Sequence, residues 1–544
     1  MTEFSNYRQL WKQNGEPAAT TSEYPGWHET GLAVMGDFSG IQTFLFKPVP
    51  GAGGAARRLR SRSFRVSAYS EMVMRLCAQK LSQGQPKVLY SAGGKFVIGI
   101  RFFEDCEAIV RQLQTELDIW AWRNFNGELV FHLSSAKFDS GKVPHSGLRM
   151  AMAEKRNHPL AGALLSAGEW AKDEFFVRAK HDSGRCDACG ATRQLQTNEE
   201  SEELCNGCIE DEALGKKIPR SRFAFVSPAA QGDITTVGMN MQLCEGKTDR
   251  TDGNWLAFEH GTDGTPSWHL LRHLPTERGI TLDFDQIAEF APGSRKWLGY
   301  LRIDGDGAGK HFADLEGSPI RTWALSRLMN LFFADTANRL LKESFKNVYP
   351  GYGGGDDLFV IGPWTETLDF ALKLRQELKC ELGDDLSFSA GGALAKPREH
   401  VLTQANLAHR ELDSAKRIPG HGRSCGRDQI RALGVTTDWG VFSDLLRIAK
   451  QVTAWVESKE LPNSFLHQLL QLHKSWKLSH KNWEGTATAR QVRHKPLLHY
   501  QIHRNLKRGD AYNWACSLLQ ETSQWPRADF IARYAMLAAQ RGQE

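Results

Sequence analysis

The sequence predicts an α+β protein in which two copies of one strand–helix module flank a cysteine-rich segment and precede an all-helical region. Three observations predict it. An apolar strand ending in aspartate, a helix, and a glycine-turned hairpin containing FVIG occur twice; four cysteines are paired within one short stretch; and only helical periodicity is found from about residue 436 onward. The bulk composition agrees. A chain of 544 residues is too long for one core, and with 41% hydrophobic and 24% charged residues it has the apolar material to fill several. That excludes a largely disordered chain. No apolar run reaches the ~18 residues of a membrane helix, and the N-terminal MTEFSNYRQLWKQNGEP lacks the apolar core of a secretion signal. A soluble cytoplasmic protein is expected.

Taken in order, residues 1–30 read as a polar leader with turn signals at Asn14-Gly15 and Pro25-Gly26. GLAVMGDFSGIQTFLF (31–46) reads as a strand that ends at Asp37 and runs into a helix. GAGGAARRLRSRSFRVSAYSEMVMRLCAQKL (51–81) starts rich in glycine and arginine and becomes helical in period. VLYSAGGKFVIGIRF (88–102) reads as two short strands joined at Gly93-Gly94. This first module is placed at 31–150. A linker domain, 151–290, holds the cysteines, and its polar stretch 228–268 reads as loops or irregular sheet.

The second module, 291–432, opens with KWLGYLRIDGDGAGKHF (296–312), whose strand ends at Asp304. A helical segment (322–345), the hairpin NVYPGYGGGDDLFVIGPW (347–364), a helix (366–382), a strand (386–397) and a last helix (401–417) follow, and PGHGRSCGRD (419–428) ends the unit. Residues 433–544 form the helical C-terminal domain. The repeat is metrically similar: 56 residues separate Asp37 from Gly93, and 50 separate Asp304 from Gly354. Two modules packed face to face is the simplest architecture. They differ at the turn, where the first has Gly93-Gly94-Lys95 and the second Gly354-Gly355-Asp356-Asp357. Only the second has a carboxylate pair.

Asp304, Asp306, Asp356 and Asp357 are therefore the candidate catalytic residues. Magnesium and manganese take hard oxygen ligands, and two such ions about 4 Å apart clamp the attacking and leaving oxygens of a phosphoryl displacement. Gly354 and Gly355 allow a tight turn and close approach of a nucleotide. Lys310 and Lys416 are candidates to offset triphosphate charge. The plain alternative is a hairpin turn with solvated aspartates; the apolar strands around it and the neighbouring Ile-Asp-Gly-Asp favour chemistry.

Cys186-x-x-Cys189 and Cys205-x-x-Cys208 are separated by 15 residues, the spacing of a four-thiolate zinc ribbon or knuckle. Four soft ligands leave no open position for catalysis, so the site reads as structural, with free thiols or a redox pair as the alternatives. The other six cysteines are scattered singly, as in a reducing compartment. Arg57, Arg58, Arg60, Arg62 and Arg65 crowd nine residues, either as a phosphate-binding field or as a solvated helix with salt bridges. The whole chain carries only +5, but residues 441–544 hold 15 Lys and Arg against 8 Asp and Glu, with six histidines and five tryptophans. Such a surface can bind RNA phosphates and stack bases, although tryptophans at helical spacing are more often core. HKNWEG (480–485) and RQVRHKPLLHYQIHRNLKR (490–508) are the candidate contacts.

Together GDFSGIQTFLF, RRLRSRSF, YSAGGKFVIG, YGGGDDLFVIGPW and LSFSAGGALAKP resemble the large-subunit (Cas-ten) family of type III CRISPR effector complexes, in its Csm-type, subtype III-A branch. The order of parts, from about residue 31, is similar too. The resemblance implies two ferredoxin-like palm domains, related to nucleotide cyclases and polymerases, a zinc-binding linker domain and an all-α C-terminal domain. It implies a nucleotidyltransferase that makes cyclic oligoadenylate second messengers from ATP when the guide RNA complex captures a target transcript. Asp304, Asp356 and Asp357 match the family's metal-binding carboxylates, and Asp306 an assisting one. The first palm, with Asp37, Ser39 and Gly93-Gly94-Lys95, is expected to hold a second ATP. The arginine cluster is expected to meet ATP or the 5′ end of the guide RNA.

Expected partners are guide and target RNA and the other subunits of the complex, with no membrane. The family often begins with an HD nuclease domain. Here about 30 residues containing only His28 precede the first palm, and the one His-Asp dipeptide, His181-Asp182, lies beside the cysteines; no DNase activity is expected. Two alternatives stay open: transfer of AMP from ATP to another acceptor such as S-adenosylmethionine, and a scaffold that only binds RNA and subunits.

Overall fold

Tyr7, Leu10 and Trp11 recur at helical spacing in the N-terminal segment, and they fold as α1 (Glu3–Lys12) with all three buried. The computed structural model describes residues 3–12, 24–47, 54–81, 87–166, 184–198, 202–228, 231–259, 264–315, 317–419, 426–481, 494–520 and 525–539. The expected polar leader is thus partly a core helix. Arg8 and Lys12 pair with Asp385, and Tyr7 meets Trp323 edge-on at 5.3 Å. His181-Asp182, Asn14-Gly15 and most of 480–493 lie outside the described residues.

Strands β1 (Gly31–Ser39), β2 (Lys87–Ala92), β3 (Lys95–Ile100) and β4 (Val130–Phe138) form a sheet in the order β2-β3-β1-β4, antiparallel throughout. Helix α2 (Ala55–Leu81) connects β1 to β2, and α3 (Cys106–Phe125) connects β3 to β4. β1 is central and covered on both faces, so it reads as a continuous apolar run instead of an alternation. α4 (His145–Asn157) then packs back on β4 and β1.

In the cysteine segment, Gly184–Arg185 pairs with Thr192–Arg193 and Leu195–Thr197 with Glu203–Cys205, leading into α5 (Asn206–Lys217). The polar stretch after it is more regular than expected. β5 (Phe223–Ser227), β6 (Ile234–Thr236), β7 (Met239–Cys244) and β8 (Asn254–Ala257) form a sheet in the order β6-β7-β5-β8. Along β7 the residues alternate between buried and half-buried, the period-2 signature of a strand with one covered face.

The second module repeats the first. β9 (Leu298–Gly305), β10 (Tyr349–Gly354), β11 (Asp357–Pro363) and β12 (Phe388–Ala395) are ordered β10-β11-β9-β12, again antiparallel. Helix α6 (Pro319–Asn330) lies in the first crossover, continuing through one π turn at Leu331–Thr336, and α7 (Trp364–Leu382) forms the second. α8 (Val401–Arg417) follows. β13 (Gln429–Ala432) and β14 (Val435–Asp438) extend the sheet to six strands, β13 lying parallel to β12.

Each of the two large cores draws on both modules. Ala33, Leu89 and Val97 join Leu301, Ile303 and Trp323 in one; Leu32 and Val34 join Leu298 and Tyr300 in the other. The C-terminal region is helical after β14: α9 (Trp439–Glu457), α10 (Asn463–Lys481), α11 (His494–Asn505), α12 (Asp510–Ser517) and α13 (Ala528–Ala538). Trp476, Trp514 and Trp525 are buried, so packing claims them over base stacking. Among the described residues, no helix is long and apolar enough to cross a membrane.

Candidate active site and metal centre

Asp304 is the seventh residue of β9 and faces Asp357, the first of β11, as its direct cross-strand partner. Opposed residues of an antiparallel pair share a face, so the register alone brings two carboxylates together. Asp356 joins them from the turn. The Gly305 N–H donates to the Asp356 carbonyl at 2.9 Å, and a Cβ on Gly305 would lie 3.0 Å from the Asp356 Cβ. Gly355 has φ +67°, the left-handed conformation that the turn requires.

Burial, and secondarily Asp357, push the Asp356 carboxyl above the usual range, while Lys95 opposes them. Two cations answer the rest of the charge. Lys416, in the last turn of α8, pairs with Asp304, and Arg302 Nη2 donates to Asp357 Oδ2 at 3.0 Å. Burial lowers the Lys416 ammonium to about 8, with Arg427 and Arg302 adding to the effect. Sequence reasoning missed Arg302; its signal was a cation two residues before Asp304, on the same face of an otherwise apolar strand.

The glycine turns of the two modules meet. A Cβ on Gly93, whose φ is +59°, would fall 2.8 Å from the Gly354 carbonyl oxygen, and the Tyr352 hydroxyl donates to the Gly93 carbonyl at 3.0 Å. Beside this contact lies a cavity of about 270 Å³ lined from both modules, with Met35, Tyr90 and Lys95 on one side and Phe312, Met329 and Asp356 on the other. His145 also lines it, donating to or accepting from Thr322 Oγ1 at 3.1 Å. Gly94 and Gly354 complete the turns, and Lys310 is exposed on the short helix Ala308–Ala313.

Other expected site residues are engaged elsewhere. Both oxygens of Asp306 accept hydrogen bonds, Oδ1 from Ser389 at 2.8 Å and Oδ2 from Ser387 at 2.9 Å and the Asp428 N–H at 2.8 Å. It is buried and ties the end of β9 to β12 and the start of β13, so three of its roughly four acceptor sites are committed to the fold. Asp37 is 1% exposed beneath Arg156, with which it pairs, and Ser39 Oγ lies 2.9 Å from His132 Nε2. Asp37 therefore presents no surface to a nucleotide, which corrects its expected nucleotide-holding role, whereas Ser39 is half-buried and engaged by His132.

The arginine cluster is corrected at four of its five positions, Arg57 being half-buried. Arg58 pairs with Glu212, and Arg62 and Arg65 with Asp211 at 2.8 and 3.1 Å, so these guanidinium groups dock α2 on α5. Arg60 is buried as well, donating to the Gly215 carbonyl at 2.8 Å. The acidic partners lie about 150 positions away in sequence, where no local pattern shows them.

The four cysteine Sγ atoms of Cys186, Cys189, Cys205 and Cys208 lie within 4.8 Å of one another. Cys205 caps the N-terminus of α5 and Cys208 sits in its first turn. The Cys205 N–H points to Cys186 Sγ at 3.3 Å and Arg62 Nη2 to Cys208 Sγ at 3.6 Å. This donor set is compatible with zinc.

Comparison with known proteins agrees with the geometry. The model of Csm1 subunit domain B matches residues 31–158, and that of the second palm domain of Cas10/Cmr2 matches 297–425. The CRISPR system single-strand-specific deoxyribonuclease Cas10/Csm1 (subtype III-A) of Thermococcus onnurineus is 22% identical over 76% of this chain and 58% of its own length. Its counterpart in Mycobacterium tuberculosis is 23% identical over 72% and 53%. The chain therefore spans little more than half the length of the curated relatives it matches.

Among solved structures, the Csm1–Csm4 cassette in complex with cA3 superposes with a TM-score of 0.69 at 16% identity, covering 98% of this chain and 72% of that one. The cassette with one ATP gives 0.67 at 16% identity, over 94% and 71%. With matches to a Csm1 domain B and then to a Cas10-type second palm, the chain is similar along most of its length to the Cas10/Csm1 proteins of CRISPR subtype III-A.

Proposed function

We propose that this chain is the large subunit of a type III-A interference complex and makes cyclic oligoadenylates from ATP once guide RNA has captured a target transcript. The observation that carries this reading is the facing of Asp304 and Asp357 across β9 and β11, with Asp356 of the adjoining turn lining a cavity shared by two modules of the same strand order. Solved relatives bearing ATP, AMPPNP, cA3 and cA4 support it by analogy. On this reading both sheets are palm domains, 31–150 and 291–432. The zinc-binding linker is 151–290 and the helical domain 433–544.

The three carboxylates offer hard oxygens, and burial, with Asp357 second, disfavours the charged form of Asp356, a cost that a bound divalent cation would offset. They fit magnesium or manganese, which when bound polarises phosphate oxygens and stabilises charge developing on them. Lys95 and Lys416 bring positive charge to the triphosphate, and the Gly93-Gly94 and Gly354-Gly355 turns let it approach the backbone. The 3′-hydroxyl of one ATP attacks the α-phosphorus of the other. The 3′-O–P bond forms, the bond to the β-phosphate oxygen breaks, pyrophosphate leaves and the hydroxyl proton passes to solvent. The apolar walls of the cavity exclude competing water. Guide RNA, target RNA and a Csm4-type subunit are the proposed partners.

The test incubates labelled ATP and Mg²⁺ or Mn²⁺ with the assembled complex, with and without target RNA, and identifies the products by mass spectrometry. Cyclic adenylates that require target RNA and vanish in Asp356→Ala/Asp357→Ala are expected. Undiminished product in that variant would overturn the assignment.

A further inference from the structure

We propose that His499 and His503 form a chelating site for a borderline divalent transition ion such as zinc, nickel or copper, separate from both centres described above. The two histidines are one turn apart on α11, where residues i and i+4 stand above each other on one face. Their Nε2 atoms are 3.1 Å apart and both side chains are exposed. Metal–imidazole bonds of about 2.0–2.1 Å in a tetrahedral or octahedral shell span a nitrogen–nitrogen distance of about 2.9–3.4 Å, so the pair is already set at the required bite.

The second observation is the partner of the other ring nitrogen. His503 Nδ1 lies 3.1 Å from the Tyr512 hydroxyl on α12, whose ring meets the imidazole edge-on at 5.5 Å. When Nδ1–H donates to that oxygen, the Nε2 lone pair is fixed toward His499. A hydrogen bond of this kind orients metal-binding histidines generally. Arg504, the next residue, is drawn to the Tyr500 hydroxyl at 3.0 Å, which occupies its guanidinium on another partner. Two imidazole nitrogens with water completing the shell suit zinc, nickel and copper and leave magnesium to oxygen ligands.

Untagged full-length protein with its four-thiolate site loaded with zinc is titrated calorimetrically with Ni²⁺. One further equivalent is expected, with affinity at least about tenfold lower in His499→Gln and in His503→Gln, and about tenfold lower in Tyr512→Phe. The two rings are exposed, so circular dichroism and thermal midpoint should match the parent protein. Electron paramagnetic resonance of the Cu²⁺-loaded protein should show coupling to two imidazole nitrogens. Nickel binding equally tight in the double His499→Gln/His503→Gln variant, or a copper spectrum unchanged by it, overturns the proposal.

Discussion

A Cβ placed on Gly354 would sit 2.5 Å from the Cα of Gly93, so the two turns touch backbone to backbone with no room for a side chain. Gly354→Ala must therefore push the modules apart. A displacement of about 1 Å at a reacting centre can cost about a hundredfold in rate. Gly354→Ala is expected to lower adenylate synthesis by tenfold or more while leaving circular dichroism unchanged. Gly355→Ala meets open space but has φ +67°; through turn strain alone it should cost about 1–2 kcal/mol and lower the thermal midpoint, without moving the modules. Activity of Gly354→Ala at the parent level would remove the contact from the mechanism.

Asp211 holds Arg62 and Arg65 at a buried junction, whereas Glu210 is 69% exposed and only 3.9 Å from Arg65 at best. Removing one partner of a buried pair leaves an uncompensated charge and costs about 3–5 kcal/mol. Surface pairs contribute about 0–1 kcal/mol. Asp211→Ala should destabilise the protein severely in urea denaturation and Glu210→Ala hardly at all. Equal effects would mean that the α2–α5 junction is not held by these ions.

The cysteine segment has almost no core of its own: among the described residues its separate apolar cluster has Cys186, Ala188, Leu204, Cys205 and Cys208 as buried members. Four bonds to a zinc ion are then its main tether. One equivalent of zinc by elemental analysis is expected in the parent protein and none in Cys208→Ser. That variant should become sensitive to limited proteolysis between residues 184 and 217 first. Retention of zinc by Cys208→Ser would exclude the four-thiolate set.

Burial, with Lys155 adding to it, lowers His132 from the usual 6.5 to about 4. The folded state keeps the ring neutral, and between pH 6.5 and 4 the unfolded chain binds the extra proton. Stability is therefore complete above about 6.5 and is lost as the pH falls toward 4. The difference in unfolding free energy between the parent and His132→Gln should shrink over that window, read from urea curves at pH 7.5, 5.5 and 4.5. A pH-independent difference would show that the ring is not held neutral.

The repeat was legible because its marks are local. A strand covered on both faces is an apolar run, and a hairpin that must reverse tightly carries glycine. Asp304 and Asp357 face each other because strand register carries them there, and Asp356 precedes Asp357 in the turn. Asp306 was misread because the spacing of two that aligns residues along a strand ends with β9 at Gly305, and beyond it two serines and a backbone N–H take the carboxylate. The arginines were misread because their acids arrive from α5. Two signals were present and passed over: Tyr7, Leu10 and Trp11 at helical spacing, and the alternation along β7.

The dissimilar tips have a further consequence. Had both carried acids, exchanging the modules would leave the crevice unchanged, and either of two guests could react with the other. With a lysine at one tip and a pair of aspartates at the other, the crevice has a handed polarity. If the chain joins adenylates as proposed, one seat is fixed as the donor's and the other as the acceptor's, and a growing oligomer would always enter the same way round.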